Sequence, residues 1–256
     1  MGYSTDLTDA QWKILEPIFK SNKGQHFVLH SKRNLVNAVL YLVKTGCQWR
    51  LLPNDFPPHD AVWSFYRRAV KSGKWEKAMD NLVKKTRVDD GRKPKPSYGL
   101  IDSQSAKTTS ASANKGFDGG KKIKGRKRHI VTDTMGNLLA IKVHAANIHD
   151  TKSGIGPAKK AYVKYPTILK FCGDEGYRKY FEEAVSGELK LDVDISKRIK
   201  PEFEVIPLRW KVERTFGWAN NSRRLSKDYE IKVDHEENIF MFLTCIRYSN
   251  VIDHMV

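Results

Sequence analysis

The spacing of apolar residues changes once along this chain, and the change falls in a segment that suits neither helix nor strand. Before it, apolar side chains recur at helical intervals; after it they come in short runs bounded by turn residues. Between the two, Val88–Ser97 carries Asp89, Asp90, Gly91, Pro94 and Pro96, which interrupt any period. The expected organisation is a helical domain over residues 1–90, a linker over 91–97 and an α/β domain over 98–256. A chain of 256 residues is long enough to bury a core in each.

Four helices are expected in the first part. Thr8 and Gln11 have the spacing of a capping box, with Leu7 and Trp12 as its hydrophobic staple, so a helix starts at Asp9 and turns Trp12, Leu15 and Ile18 or Phe19 inward. Pro17 kinks or shortens it. Residues 32–45 place Leu35, Val36, Val39, Leu40, Leu42 and Val43 at helical spacing, and Gly46 is the left-handed stop. After a connection rich in proline (Pro53, Pro57, Pro58), a third helix is expected with Asp60 as its cap. Its apolar back is Trp63, Tyr66 and Val70, and its front is Arg67, Arg68 and Lys71, an arrangement able to lie in a DNA groove. A fourth helix follows Gly73 with Trp75, Met79, Leu82 and Val83 inward.

Beyond the linker, Arg126–Asp133 and Leu138–His144 flank Met135-Gly136-Asn137 as a hairpin, and Ile168–Gly173 and Leu189–Ile195 are further strands with helical stretches between and after them. A mixed sheet with helices on its faces accommodates this order. Trp210 and Trp218 are expected to pack a late helix against the sheet, and Phe240, Leu243 and Ile246 to form a terminal core helix.

The formal net charge is +17 and the excess is spread over both halves, which points to a polyanionic partner met by both. Lys107–Arg128 concentrates it: Lys121, Lys122, Lys124, Arg126, Lys127 and Arg128 lie in a stretch with hardly any large apolar residue. Such a segment is expected to stay mobile until it meets an anion, here the phosphates of DNA. Three widely separated cysteines, Cys47, Cys172 and Cys245, offer neither a disulfide framework nor a zinc site and suit a reducing compartment. The apolar run 239–246 is too short to cross a bilayer and no signal segment opens the chain, so a soluble, cytoplasmic protein without membrane contact is expected, nucleoid-associated if its polyanionic partner is DNA.

On so basic a chain, carboxylates that end apolar runs suggest metal-dependent phosphoryl transfer. Magnesium binds through one or two carboxylates plus phosphate oxygens. Asp102 closes Tyr98-Gly99-Leu100-Ile101, Asp174 closes Ile168–Gly173, and Glu213 lies in the helical stretch Arg209-Trp210-Lys211-Val212-Glu213-Arg214. Glu175 points away from its neighbour Asp174 if the strand continues, Asp133 lies near the hairpin turn, and Asp150 has the position of an N-cap and stands in reserve.

Leu7-Thr8-Asp9-Ala10-Gln11-Trp12, Thr45-Gly46-Cys47-Gln48-Trp49-Arg50-Leu51-Leu52-Pro53 and Asp55-Phe56-Pro57-Pro58 resemble the N-terminal module of bacterial insertion-sequence transposases. The likeness continues through Asp102-Ser103-Gln104-Ser105, Lys124-Gly125-Arg126-Lys127-Arg128-His129, Gly173-Asp174-Glu175-Gly176-Tyr177 and Arg209–Phe216. Nearly the whole chain resembles a DDE transposase of the insertion-sequence-five group. The resemblance implies an RNase H-like mixed sheet with flanking helices behind an all-α N-terminal domain, with Asp102, Asp174 and Glu213 as catalytic and metal-binding residues. It implies two Mg2+ ions, replaceable by Mn2+, and cleavage at transposon ends followed by strand transfer through a DNA 3′-hydroxyl. The partners it implies are double-stranded terminal inverted repeats, target DNA and a second copy of the chain on paired ends.

The group's helix signature, Tyr-x2-Arg-x3-Glu-x6-Lys, is met by Arg209 and Glu213 but not by Ile206 and Asn220; Arg214, Arg223 or Arg224 are candidates to supply the missing phosphate contacts. Ser103, Ser105 and Tyr177 are expected to be structural or DNA-contacting, because in-line transfer needs no covalent enzyme intermediate. Two other classes share these residues: a DNA-binding protein that keeps the fold without cutting, and a nuclease that cuts without joining.

Overall fold

A computed structural model describes residues 2–20, 29–196 and 209–242. Ile206, Leu243, Cys245 and Ile246 lie outside the described residues.

The N-terminal part is built from α1 (Asp9–Phe19), α2 (Lys32–Thr45), α3 (His59–Lys71) and α4 (Lys74–Asp89). The capping box forms as expected: the Thr8 backbone N–H donates to Gln11 Oε1 at 2.8 Å, while Gln11 N–H reaches Thr8 Oγ1 at 3.4 Å. Leu7 is buried beneath it, but Gln11 rather than Trp12 turns inward with Leu15 and Phe19, leaving Trp12 half-buried. α2 is the central helix, with all six expected apolar residues buried, and Gly46 ends it at φ 74°. α3 begins two residues earlier than expected, with Pro58 at its cap and Asp60 inside its first turn. Proline fits there because the first amides of a helix have no intrahelical partner. Its buried face is Val62, Phe65, Tyr66 and Ala69; Trp63 and Val70 sit at the margins, and Arg67, Arg68 and Lys71 are exposed. In α4, Trp75, Met79, Leu82 and Val83 are all buried.

The second part is a six-stranded mixed sheet in the order β2-β3-β1-β5-β6, with β4 also paired to β3. Its strands are β1 (Tyr98–Lys107), β2 (Gly116–Asp118), β3 (Ile123–Thr132), β4 (Leu138–Ala145), β5 (Lys170–Gly173) and β6 (Asp192–Ile195). β1, β3 and β4 are antiparallel neighbours, whereas β1, β5 and β6 run parallel. Parallel neighbours need crossovers. These are α5 (Asp150–Ser153) with α6 (Ile155–Lys164) before β5, and α7 (Tyr180–Leu189) before β6; α8 (Arg209–Asn220) and α9 (Arg223–Ser226) follow, then a helical segment described over 233–242.

The expected hairpin is β3–β4, turned by Gly136 at φ 81°. The last part of the stretch expected to be mobile, from Ile123 on, is strand, because β1 runs on through Lys107 and pairs with the basic residues of β3. Backbone pairing supplies order there that composition does not reveal. The register brings a Cβ on Gly125 to 2.0 Å from the Ala106 carbonyl oxygen, so only glycine fits between those strands.

Packing is continuous across the expected boundary. Trp75 meets Phe242 with ring centroids 4.2 Å apart, Arg87 of α4 pairs with Asp133 of the hairpin at 2.6 Å, and Arg224 donates to the Cys47 carbonyl at 3.1 Å. One apolar core runs from Leu15 and Val39 through Val83 to Ile130 and Phe171.

Candidate active site

Asp102 lies within β1, opposite Ile130 of β3, and not at a strand end. Its Oδ1 accepts the Ser103 backbone N–H at 2.7 Å. Burial, with the nearby Asp174 charge adding to it, pushes its carboxyl up to about 7, although the Ser103 amide, Arg209 and Lys121 pull the other way. Asp174 follows β5 and caps a 3-10 turn, accepting the Gly176 N–H at 2.9 Å. Glu213 stands on α8, one turn after Arg209. The Arg209 guanidinium joins them, 3.1 Å from Glu213 Oε1 and 3.6 Å from Asp174 Oδ2.

The three carboxylates named from the sequence are therefore linked: two share one guanidinium, and the third is electrostatically coupled to Asp174 and Arg209. Tyr177 is buried among acidic groups; burial, then Asp102, Asp150 and Asp174, raise its hydroxyl well above the usual value.

The competing carboxylates have other partners. Asp133 is fully buried, held by Arg87 and by the Met135 and Asn137 amides at 2.9 Å. Glu175 pairs with Arg178 at 2.6 Å. Asp150 is not an N-cap, because His149 fills that position. Instead its Oδ1 takes the Lys127 ammonium at 2.9 Å and the Ser103 hydroxyl at 3.1 Å. The signal for this network was absent from local patterning, since its members come from β1, β3 and α5.

Three of the basic residues expected on DNA are interior. Arg126 is fully buried, bound to Asp228 at 2.9 Å and to the carbonyls of Ala113, Glu230 and Ile231. Arg128, also fully buried, pairs with Glu236 and donates to the Leu225 carbonyl at 2.7 Å. Lys127 lies between Asp150 and Asp118. A strand covered on both faces sends alternate residues to opposite sides. The run that reads as a basic patch is thus split into two sets of buried ion pairs. Arg224 is likewise engaged, with Glu230 at 2.6 Å.

Arg67, Arg68, Lys121, Lys122, Lys124 and Arg223 are exposed, and Arg209 and Arg214 are partly so. Arg214 is sandwiched between the Trp210 and Trp218 rings at 4.4 Å from each. Those tryptophans are half-exposed, so Val212, Thr215, Phe216 and Ala219 form the buried face of α8 in their place. Positions 210, 214 and 218 form a separate stripe because they recur every four residues.

The model of the family described as "Transposase DDE domain" matches residues 93–247, a range that contains all three carboxylates. The chain belongs to this DDE transposase family. A second model, "Putative transposase of IS4/5 family", matches residues 7–79, which span the first three helices and the start of α4. The "Insertion element IS402 uncharacterized 16.2 kDa protein" of Burkholderia cepacia is 28% identical over 93 residues, covering 33% of this chain and 62% of that protein. The mixed sheet of this family member is accordingly of the RNase H-like type. No helix among the described residues is long and apolar enough to cross a membrane.

The donor set offered by Asp102, Asp174 and Glu213 is all oxygen, as hard divalent cations require. As placed, no three acidic, histidine or cysteine residues among those described form a ready-made metal cage. The cluster nevertheless fits magnesium, which needs only one or two carboxylates when phosphate oxygens complete its shell.

Proposed function

We propose that this protein is a DNA transposase that cuts at the ends of its element and joins them to target DNA. The observation that carries the reading is the sharing of Arg209 by Asp174 and Glu213, with Asp102 under the electrostatic influence of both Asp174 and Arg209, in a protein of net charge +17. The three carboxylates would hold the divalent cations, Mg2+ with Mn2+ as substitute. Two such ions, if held there, would supply the positive charge that favours an attacking and a leaving oxygen in in-line displacement.

The chain's own residues do the rest. Asp102, once ionised, supplies the most enclosed negative charge. Arg209 holds Glu213 and Asp174 in reach of each other and can turn to a phosphate oxygen, which matches a planar guanidinium. Lys121, whose ammonium donates to the Ser103 carbonyl at 3.1 Å, sits at the rim where a DNA backbone would arrive. Water attacks the phosphodiester to release a 3′-hydroxyl, and that hydroxyl attacks a target phosphodiester, displacing a second 3′-oxygen. No side chain need form a bond to DNA. Double-stranded inverted repeats and target DNA are the partners, and a pair of chains is the assembly that brings two ends together.

The test uses a plasmid carrying the gene with its flanking DNA. Purified protein with Mg2+ should produce cuts at the two borders of the element and joined products in a second plasmid. Asp102→Asn, Asp174→Asn and Glu213→Gln should each abolish both while leaving DNA affinity near that of the parent. Border cuts without joined products would identify a nuclease, and binding without cuts by the parent would remove the enzymatic reading.

A further inference from the structure

The sheet carries a second polar network on the face of β1 opposite Asp102. Ser103 bridges the two faces. Its backbone N–H donates to Asp102 Oδ1 at 2.7 Å, and its hydroxyl donates to Asp150 Oδ1 at 3.1 Å. Asp150 is anchored in turn by Lys127, which also contacts Asp118 at 3.5 Å and donates to the Ile148 carbonyl at 3.1 Å. Asp118 accepts the Ser105 hydroxyl at 2.5 Å and the Gly120 and Lys121 amides at 3.0 Å, so the same network fixes the turn that carries Lys121.

His129 approaches Asp150 to 3.4 Å. His144 Nδ1 faces the Ala145 carbonyl and so must donate, leaving its Nε2 to accept from His129 Nδ1 at 2.8 Å. Burial pushes His129 down to about 4, so it is neutral at physiological pH and turns a bare Nε2 towards the carboxylate. Lys127 and Ser103 are therefore the donors that hold Asp150. Its Oδ2 faces the turn after Asp174: a Cβ placed on Gly176 would lie 4.0 Å from Asp150 Oδ2 and 2.9 Å from Asp174 Oδ1. Asp150 thus touches the residue next to Asp102 and borders the turn that carries Asp174.

We propose that Asp150, with Ser103 as its bridge and Lys127 as its anchor, is a positioning residue that orients Asp102 for cation binding. It acts through Ser103 and does not itself meet DNA or the reacting atoms. The inference rests on the reading of Asp102 as a cation ligand. Residues that orient a ligand from behind typically change metal affinity or activity by about 10–100-fold when removed.

The experiment is a Mn2+ titration of the full-length protein followed by electron paramagnetic resonance, with thermal melting alongside. Asp150→Asn and Ser103→Ala should each bind Mn2+ roughly 10–100-fold more weakly than the parent. Ser103→Ala leaves every buried charge paired, so it decides the matter if Asp150→Asn fails to fold. Asp102→Asn is the reference: if it binds Mn2+ like the parent, the cation-site reading fails. If Asp102→Asn loses Mn2+ while folded Ser103→Ala retains parental affinity, the bridge is structural only and the proposal is overturned.

Discussion

Asp102 is a residue whose folded environment works against its charge. Its carboxyl is raised from 3.8 to about 7, so the folded state binds the proton more tightly than the unfolded state. A raised carboxyl leaves stability intact below the unfolded value and removes it as pH climbs through the folded one. In protein freed of divalent cations, this contribution should therefore fade between about pH 4 and pH 7. Asp102→Asn should remove the penalty, raising stability at pH 8 by up to about 4 kcal/mol while leaving pH 4 nearly unchanged, at roughly 1.4 kcal/mol per unit. Melting curves of the two proteins in a chelator at both pH values check this, and equal midpoints at pH 8 would show that Asp102 is no strained carboxylate. That Asp174 and Glu213 lie together at Arg209 was legible at this scale because motif residues surround each of them. Arg126 and Arg128 were not, since Arg126 finds Asp228 102 positions away and no local pattern carries so distant a pairing.

At the scale of elements, charge has to be sorted by where an element sits. β3 is central, so its Arg126, Lys127 and Arg128 are interior, whereas Lys121 and Lys122 in the turn after β2, Lys124 at the start of β3, and Arg67 and Arg68 of α3 face solvent. Contacts to duplex phosphates release counterions, at about 0.9 in the log-log salt slope for each. Neutralising Lys121, Lys122 and Lys124 together should flatten that slope by roughly 2 to 3 units on any duplex. Lys127→Gln should instead lower the melting midpoint without changing the slope of the folded protein. Fluorescence anisotropy at several salt concentrations reads both, and an unaltered slope in the triple variant would leave that turn out of the interface. Helices were the most legible elements, because the spacing of Leu35 to Val43 and the stop at Gly46 are local signals. The inward face of α8 was misread because aromatic residues look like core, yet Trp210 and Trp218 clasp Arg214 at the surface.

For the whole molecule, the change in apolar period at residues 88–97 marks a change of architecture without marking a break in packing. α4 ends beside the β3–β4 turn, where Arg87 and Asp133 form an ion pair with side chains 7% and 0% exposed. Arg87 also donates to the Lys93 carbonyl at 2.8 Å, tying the connecting segment to the same point. A sequence shows where elements change, but not whether two groups of elements bury apolar surface against each other; Trp75 against Phe242 is such a contact. The helices and the sheet should consequently unfold together, giving one calorimetric transition for the full chain. Removing one partner of a buried pair costs about 3–5 kcal/mol because the other charge stays behind. In a chain of this size each kcal/mol moves the midpoint by about 2–4 °C. Arg87→Met should therefore lower the single midpoint by roughly 10 °C by leaving the buried Asp133 without its cationic partner. The companion change Asp133→Asn in the same protein should recover part of the loss by removing the stranded charge. Two separate transitions, with only the helical one shifted by Arg87→Met, would show instead that residues 1–90 fold as a domain of their own.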